Sequence, residues 1–338
     1  MDRLKAIAVG GLAVLMVLIL PLTTLAITVA GTNYNDSMYS PTSFFDGVAA
    51  IDIRYDPGTG PTWTHATGAL LNTPSSPGLY VLTAAHPLTD TSGNWNYIQV
   101  KMTFYGGGST EYQGVQFFKP GQWNGDFTHG GDIAVIKLGS AVSGITGYDM
   151  LRDDNWGYSG VNFVGGVATI AGYGKGGTGA TGFDPISAFG TLRVGQNKFD
   201  ALWPYQGLPF GYDFDDGNAP HDCFGYFFGI NDTGQGLLEV LIAAGDSGGP
   251  SFVEVGGVEL LAGIHSFGNR FQLASGGFFD WSDNINSSFG EVAGDTRVGA
   301  FDVWIDDQIG SKVPEPCTMI LLGSGLLGLW GFRKKFKR

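Results

Sequence analysis

Between residues 45 and 310 the chain runs in short apolar and β-branched stretches, broken repeatedly by glycine, proline and asparagine. That pattern predicts strands joined by tight turns. Strands are predicted at Gly47–Ile53, Thr67–Leu71, Tyr80–Thr83 and Ile98–Tyr105. Asp132–Leu138 alternates poorly, but it is short and apolar, as a buried strand is. Turn-rich breaks fall at Asp56–Pro61, Asn72–Gly78, Gly106–Ser109 and Gly172–Gly182. Ser251–Val255 and Val258–Ile264 are β-rich runs separated by Gly256-Gly257, which predicts a hairpin. Near the end, Val298, Phe301, Trp304, Ile305 and Ile309 lie at helical spacing and predict one amphipathic helix over Val298–Ile309. Many short strands with one late helix imply an all-β barrel or sandwich architecture.

Composition agrees. The 338 residues are 43% hydrophobic and include 56 glycines, which suits a globular β-rich protein with a sizeable core. The formal charge is −13, but the two ends carry much of the positive charge. Without residues 1–26 and 313–338 the body has 11 basic and 29 acidic residues, a net of −18. Such a body repels nucleic acid and anionic lipid, so no nucleic-acid partner is expected. The two cysteines are Cys223 and Cys317, too far from any Cys/His spacing for a zinc site. Cys317 lies in the tail, so the body has one thiol and no internal disulfide.

The ends read as addresses. Residues 1–26 have a basic start (Arg3, Lys5), an apolar run from Ala6 to Leu20, then Pro21 and the small-residue ending Thr24-Leu25-Ala26. This is a secretory signal pattern, with an uncleaved membrane anchor as the alternative. Cleavage fits after Ala26 and also after Ala30. At the other end, Val313-Pro314-Glu315-Pro316 precedes an apolar stretch, Met319 to Phe332, and the basic cluster Arg333-Lys334-Lys335-Phe336-Lys337-Arg338. Residues 313–338 thus resemble the PEP-CTERM sorting tail of Gram-negative bacteria. The resemblance implies handling by an exosortase-type membrane enzyme. The tail would cross the inner membrane as a transmembrane helix before processing, and the body would reach the cell surface, outer envelope or extracellular matrix. A plain tail anchor is the alternative.

Acyl transfer to water needs a nucleophile, a base, a buried carboxylate to orient the base, and donors aimed at the oxyanion. Ala244-Gly245-Asp246-Ser247-Gly248-Gly249-Pro250 supplies a serine among glycines, which let the backbone turn sharply and expose the hydroxyl. The N–H groups of Gly245 and Ser247 are the candidate oxyanion hole. Val81-Leu82-Thr83-Ala84-Ala85-His86 runs a short strand into small residues and a histidine. Gly131-Asp132 precedes the apolar run Ile133–Leu138, where a carboxylate should be partly buried and want a partner. His65, His129, His221 and His265 sit in no comparable setting and read as structural.

Thr-Ala-Ala-His, Asp-Ile-Ala-Val-Ile-Lys-Leu and Gly-Asp-Ser-Gly-Gly-Pro, in that order, resemble the three signature blocks of the trypsin/chymotrypsin family. The resemblance spans about residues 45–310. It implies two six-stranded antiparallel β-barrels, residues 27–150 and 151–312, with a C-terminal helix. It also implies a catalytic triad of His86, Asp132 and Ser247 between the barrels. Gly263 to Gly268 resembles the strand that lines the family's substrate cleft, which assigns Ser266, Phe267 and Gly268 to substrate binding. Leu241, six residues before Ser247, falls where trypsin-like enzymes place an aspartate. A strong preference for Lys or Arg is therefore not expected, and apolar side chains are favoured. Pro87 and Ala243 stand where the family usually has cysteines, so its usual disulfides are missing.

The function implied is a secreted serine endopeptidase acting on polypeptides, with no cofactor and no metal. The alternatives are a non-catalytic surface or matrix binding protein on the same fold, and an esterase using the same three residues. In many relatives a freshly cut N-terminal amine pairs with the aspartate before the nucleophile, here Asp246. Cleavage after Ala26 leaves Ile27, which implies activation by signal removal alone. Finally, Asp213, Asp215, Asp216 and Asp222 are either calcium ligands or a solvated acidic loop, and composition favours the loop.

Overall fold

The computed structural model describes residues 25–127, 130–152, 163–203, 209–280, 282 and 284–310. The secretory-signal assignment, except its last two residues, and the whole sorting tail lie outside them. Among the described residues no helix is long and apolar enough to cross a membrane.

The protein is all-β, with a double-barrel layout. A first strand, β1 (Leu25–Val29), is followed by six that close into a barrel: β2 (Val48–Tyr55), β3 (Thr62–Leu70), β4 (Tyr80–Thr83), β5 (Gln99–Phe104), β6 (Tyr112–Phe118) and β7 (Ala134–Leu138). Around the barrel the order is β2-β3-β4-β7-β6-β5, and β2 pairs with β5 to close it. Strand periodicity explains the interior. In β5, Val100, Met102 and Phe104 are buried while Gln99, Lys101 and Thr103 are not. β4 and β7 are different, because they have apolar packing on both faces. Val81, Ala134, Ile136 and Leu138 fill the barrel, while Tyr80, Leu82, Ile133 and Val135 join a second cluster with Phe252, Leu261 and Ile264 from the other half. This two-sided burial is why the sequence over Asp132–Leu138 lacks alternation.

The second half comprises β8 (Val167–Gly172), β9 (Gly177–Thr178), β10 (Gly182–Phe183), β11 (Arg193–Lys198), β12 (Ala201–Leu202), β13 (Pro209–Asp213), helix α1 (Cys223–Phe228), β14 (Val240–Ala243), β15 (Pro250–Val255), β16 (Val258–Asn269), β17 (Phe271–Gln272), β18 (Phe278–Phe279) and β19 (Val292–Arg297). This is the second barrel of the expected pair, curled into a half-barrel rather than closed through six strands. A curled seven-stranded sheet, β11-β8-β15-β16-β19-β13-β12, is complemented by a four-stranded sheet, β10-β9-β1-β14. β1 is thus a strand of this half, whereas the expected division puts residue 27 in the first barrel. Its partners explain the placement. It runs antiparallel to β14 and parallel to β9, and Ile27, Thr28 and Val29 are all fully buried between them.

The β15–β16 hairpin turns on Gly256 and Gly257, both at positive φ (61° and 83°), as a two-residue turn matching the strand twist requires. β16 runs five residues beyond the predicted Ile264, because β19 takes over pairing from β15. The predicted late helix is a 3-10 turn, Gly299–Phe301, leading into α2 (Asp302–Ile309). Val298, Phe301, Ile305 and Ile309 pack into the cluster between the halves, so the helical spacing read from the sequence is the buried face. Arg152 grips Asp306 with both guanidinium nitrogens (2.5 and 2.9 Å), tying α2 to the connection between the halves.

Candidate active site

β4 delivers His86. The strand is followed by Ala84 and Ala85, both fully buried, and a 3-10 turn that begins at His86. β7 begins just after Asp132, whose side chain is completely buried. Four donors surround that carboxylate. Oδ1 accepts from the backbone N–H of Ala85 and of His86, both at 2.8 Å. Oδ2 accepts from His86 Nδ1 at 2.7 Å and from Ser266 Oγ at 2.5 Å. An ionised carboxylate only accepts, so the proton on this face of the ring is on Nδ1 and Nε2 is left as the acceptor. His86 Nε2 lies 2.8 Å from Ser247 Oγ. The three residues predicted as a triad are therefore in continuous hydrogen-bond contact.

The Ser247 turn is built from left-handed glycines on both sides, Gly245 at φ 93° and Gly248 at φ 83°. A side chain at Gly248 would overlap Thr83 Oγ1, so close approach to β4 also requires glycine there. One residue that the sequence reading missed anchors the turn. Thr67 of β3 donates its backbone N–H to the Ser247 carbonyl (2.9 Å) and its hydroxyl to the Gly245 carbonyl (2.8 Å). The same hydroxyl accepts from Tyr173 N–H at 3.1 Å. In sequence Thr67 is an ordinary strand threonine, and nothing local marks it.

Asp246 points away from the cleft and is fully buried. Its Oδ2 accepts from Ala243 N–H (2.9 Å) and its Oδ1 from Gly174 N–H (3.0 Å). A Cβ at Gly172 would overlap that Oδ1. Burial pushes the Asp246 carboxyl up to about 6, opposed by His265, the two backbone donors and Arg193. Ala243 also faces Leu25 in the β1–β14 pairing, so the start of β1 runs beside the residue that holds Asp246.

The remaining assignments divide. Gly245, Ser247, His86 and Pro87 line an open cleft with Tyr55, Thr64, His65, Thr89 and Asn96. Ser266, assigned to substrate binding, spends its hydroxyl on Asp132. Phe267 is partly buried, and its ring packs against Phe127 and Trp203 (centroids 6.3 and 5.3 Å). Phe267 and Gly268 pair with Gly294 and Ala293 of β19. Leu241 is fully buried in the core with Ile27, Val29, Tyr212 and Phe289, and is not among the residues lining the open cleft.

Of the other histidines, His65 bonds Asp52 (2.7 Å) and lies in the cleft wall, which the sequence did not suggest. His221 pairs with Asp216 (2.8 Å). His265 is fully buried and pairs with Asp295 (3.0 Å), which also accepts from Tyr212 and Ser251. His129 lies outside the described residues. The acidic stretch is not the solvated loop that composition favoured: Asp213, Asp215 and Asp222 are only 1%, 3% and 4% exposed.

Comparison with known proteins bears on fold and tail. Residues 312–335 match the PEP-CTERM protein-sorting motif, which indicates export and surface or membrane-associated sorting in Gram-negative bacteria. No curated protein matches the chain. Among solved structures, HL collagenase superposes with a TM-score of 0.51 at 21% identity, covering 81% of this chain and 98% of its own. Protease Anisep from Arthrobacter nicotinovorans gives a TM-score of 0.49 at 13% identity, covering 79% and 96%. At such identity the likeness is one of fold. The chain therefore has a chymotrypsin-like double-barrel fold, shared with HL collagenase, and ends in a PEP-CTERM sorting motif.

Proposed function

We propose that the protein is an exported serine endopeptidase, with Ser247 as nucleophile, His86 as general base and acid, and Asp132 as the group that orients His86. One observation carries the reading: His86 bridges a fully buried carboxylate at 2.7 Å and a serine hydroxyl at 2.8 Å, on the wall of an open cleft. Ser247 Oγ attacks the scissile carbonyl while His86 Nε2 takes its proton. The developing imidazolium is stabilised by Asp132, whose four donors hold it in place without neutralising it. The backbone N–H groups of Gly245 and Ser247 receive the oxyanion. His86 then gives its proton to the leaving amine, and water repeats the sequence on the acyl-enzyme.

An extended polypeptide is the substrate class that fits. Beyond the last β15 pairing at Ile264, residues 266–269 keep β19 on one edge, and among the described residues no strand pairs with the other. Substrate backbone there would add as a further strand beside Ser247. The preference for apolar residues over Lys or Arg is part of the proposal and rests on the resemblance at Leu241, a residue that lies in the core and lines no part of the open cleft. The PEP-CTERM motif supports an exosortase-type sorting partner, and delivery to the cell surface, outer envelope or matrix is part of the same proposal.

Labelling with a fluorophosphonate probe tests the site. Wild type should label, and Ser247→Ala and His86→Ala should not. A folded wild-type protein with the mature N-terminus that fails to label would refute the reading. Turnover of peptide as well as ester substrates separates a peptidase from an esterase.

A further inference from the structure

A second group of titratable side chains lies apart from the triad, where β13 ends, α1 begins and β14 starts. Asp213 closes β13, Asp215 follows, Asp222 precedes α1, and Glu239 immediately precedes β14. Asp213, Asp215 and Asp222 each present a carboxylate oxygen within 4.8 Å of the others. Asp200 and Glu239 stand close enough to repel them. All five side chains are buried, none more than 4% exposed.

Some oxygens of this group have backbone donors. Phe224 N–H bonds Asp213 Oδ2 (2.7 Å), Gly225 N–H bonds Asp222 Oδ1 (2.5 Å), and Gln235 N–H bonds Glu239 Oε2 (2.5 Å). Asp215 Oδ1 and Asp200 Oδ1 are buried with no hydrogen-bond partner. Among the described residues no lysine, arginine or histidine forms a salt bridge to any of the five; the nearby Lys198 is paired with Asp232. A buried carboxylate without a partner is costly, and five together cannot stay ionised unaided.

We propose that Asp213, Asp215 and Asp222, backed by Asp200 and Glu239, form a Ca²⁺ site that fastens the segment between β13 and β14. Two oxygens on opposite sides of one Ca²⁺ lie roughly 4.6–5.2 Å apart, given Ca–O distances near 2.3–2.6 Å. The three carboxylates each offer an oxygen within 4.8 Å of the others, which fits that limit. Asp215 Oδ1, buried and unpartnered within the group, is the oxygen that a cation would satisfy. The donors are all oxygens and rich in carboxylates, which suits Ca²⁺ better than a strongly hydrated Mg²⁺ or a soft metal. A cation here would join residues 214–239 to β13 and to β14, the strand that leads into the Ser247 turn.

The test uses the purified exported protein, stripped with EGTA and titrated with CaCl₂ or MgCl₂, beside Asp215→Asn and Asp213→Asn. About one Ca²⁺ per chain is expected by direct metal analysis. Saturating Ca²⁺ should raise Tm by roughly 5 °C or more. Mg²⁺ should do much less, and either variant should weaken Ca²⁺ binding more than tenfold. No Tm shift of wild type at millimolar Ca²⁺ would overturn the site. So would a shift retained undiminished in both variants, which would put the ion elsewhere. A metal-free Asp215→Asn protein more stable than a Ca²⁺-insensitive wild type would show that shared protons do the neutralising, and would also overturn it. If neither variant folds, Asp200→Asn and Glu239→Gln serve in their place, with the same outcomes.

Discussion

Replacing Asp132 by asparagine tests the triad reading where the geometry is most constraining. All four groups around the carboxylate are donors: Ala85 N–H and His86 N–H on Oδ1, His86 Nδ1 and Ser266 Oγ on Oδ2. The amide NH₂ of asparagine must replace one oxygen. At the Oδ1 position it would meet two backbone N–H groups that cannot change roles. At the Oδ2 position it would meet a hydroxyl that can rotate and an imidazole that can change tautomer. Asparagine should therefore keep its oxygen on the backbone donors and turn its NH₂ toward His86. That puts the histidine proton on Nε2, facing Ser247, and removes the base. The expected loss in kcat is about 10⁴-fold, equivalent to about 5.5 kcal/mol of transition-state stabilisation. Stability should change by less than about 2 kcal/mol, since the amide keeps all four partners while the buried charge is removed. The assay is the second-order rate of fluorophosphonate labelling of Ser247, with denaturant melts as the control for folding. A folded Asp132→Asn protein that labels within tenfold of wild type would refute the argument.

Three further outcomes follow from the same geometry. Thr67→Val keeps the shape but strips the hydroxyl from Gly245 O and Tyr173 N; it should cost about 1–3 kcal/mol for each buried group left unpaired and slow labelling, and an unchanged melt and rate would count against Thr67 as the anchor. The mature chain should begin no later than Ile27, because Ile27 and Val29 are buried in β1 at about 1.5–3 kcal/mol each; N-terminal sequencing that found a start at Thr28 or later would exclude activation by an Ile27 amine, and a start at Gly31 would remove β1 altogether. Asp246 is held near 6 by burial, so between the unfolded value near 4 and about 6 the folded state binds more protons. Its contribution is full below about 4 and is lost as pH rises through 6, a fall of roughly 3 kcal/mol. Asp246→Asn should remove that component, and identical pH dependence of wild type and variant in urea melts from pH 4 to 7 would contradict it.

Much of the fold was legible because the strands that matter are patterned locally. β4 and the β15–β16 hairpin fall where their residues predict, since a four-residue apolar run and a two-glycine turn are local signals. Asp132, His86 and Ser247 could be proposed together for a different reason: their three blocks, taken in order, resemble the signature blocks of the trypsin/chymotrypsin family. What stayed hidden depends on partners distant in sequence. Thr67 matters through Gly245, 178 residues away, and Ser266 through Asp132, 134 residues away. β1 reads as the end of a secretory signal because its apolar residues serve equally well there and in a sheet. The acidic stretch misled because composition reports charge and not burial. Asp213, Asp215 and Asp222 are charged in sequence and enclosed in the fold.

The missing disulfides make sense once the Ser247 turn is followed outward. Ala243 and Pro87 stand where the resemblance to the trypsin/chymotrypsin family implies cysteines. Here Ala243 is fixed instead by pairing with β1 and by its N–H bond to Asp246. His86 is fixed by the Asp132 carboxylate, which holds both its backbone N–H and its ring. The turn itself is bonded to Thr67 in the first barrel and, through Asp246, to Gly174 in the second half. Ser247 is therefore positioned by contacts with both halves, and its distance from His86 is set by how they dock. That docking is held by packing between the halves, through Leu82, Ile133 and Val135 on one side and Phe252, Ile264 and Ile305 on the other. It follows that substitutions in this cluster, remote from substrate, should impair labelling of Ser247 in proportion to the packing they remove.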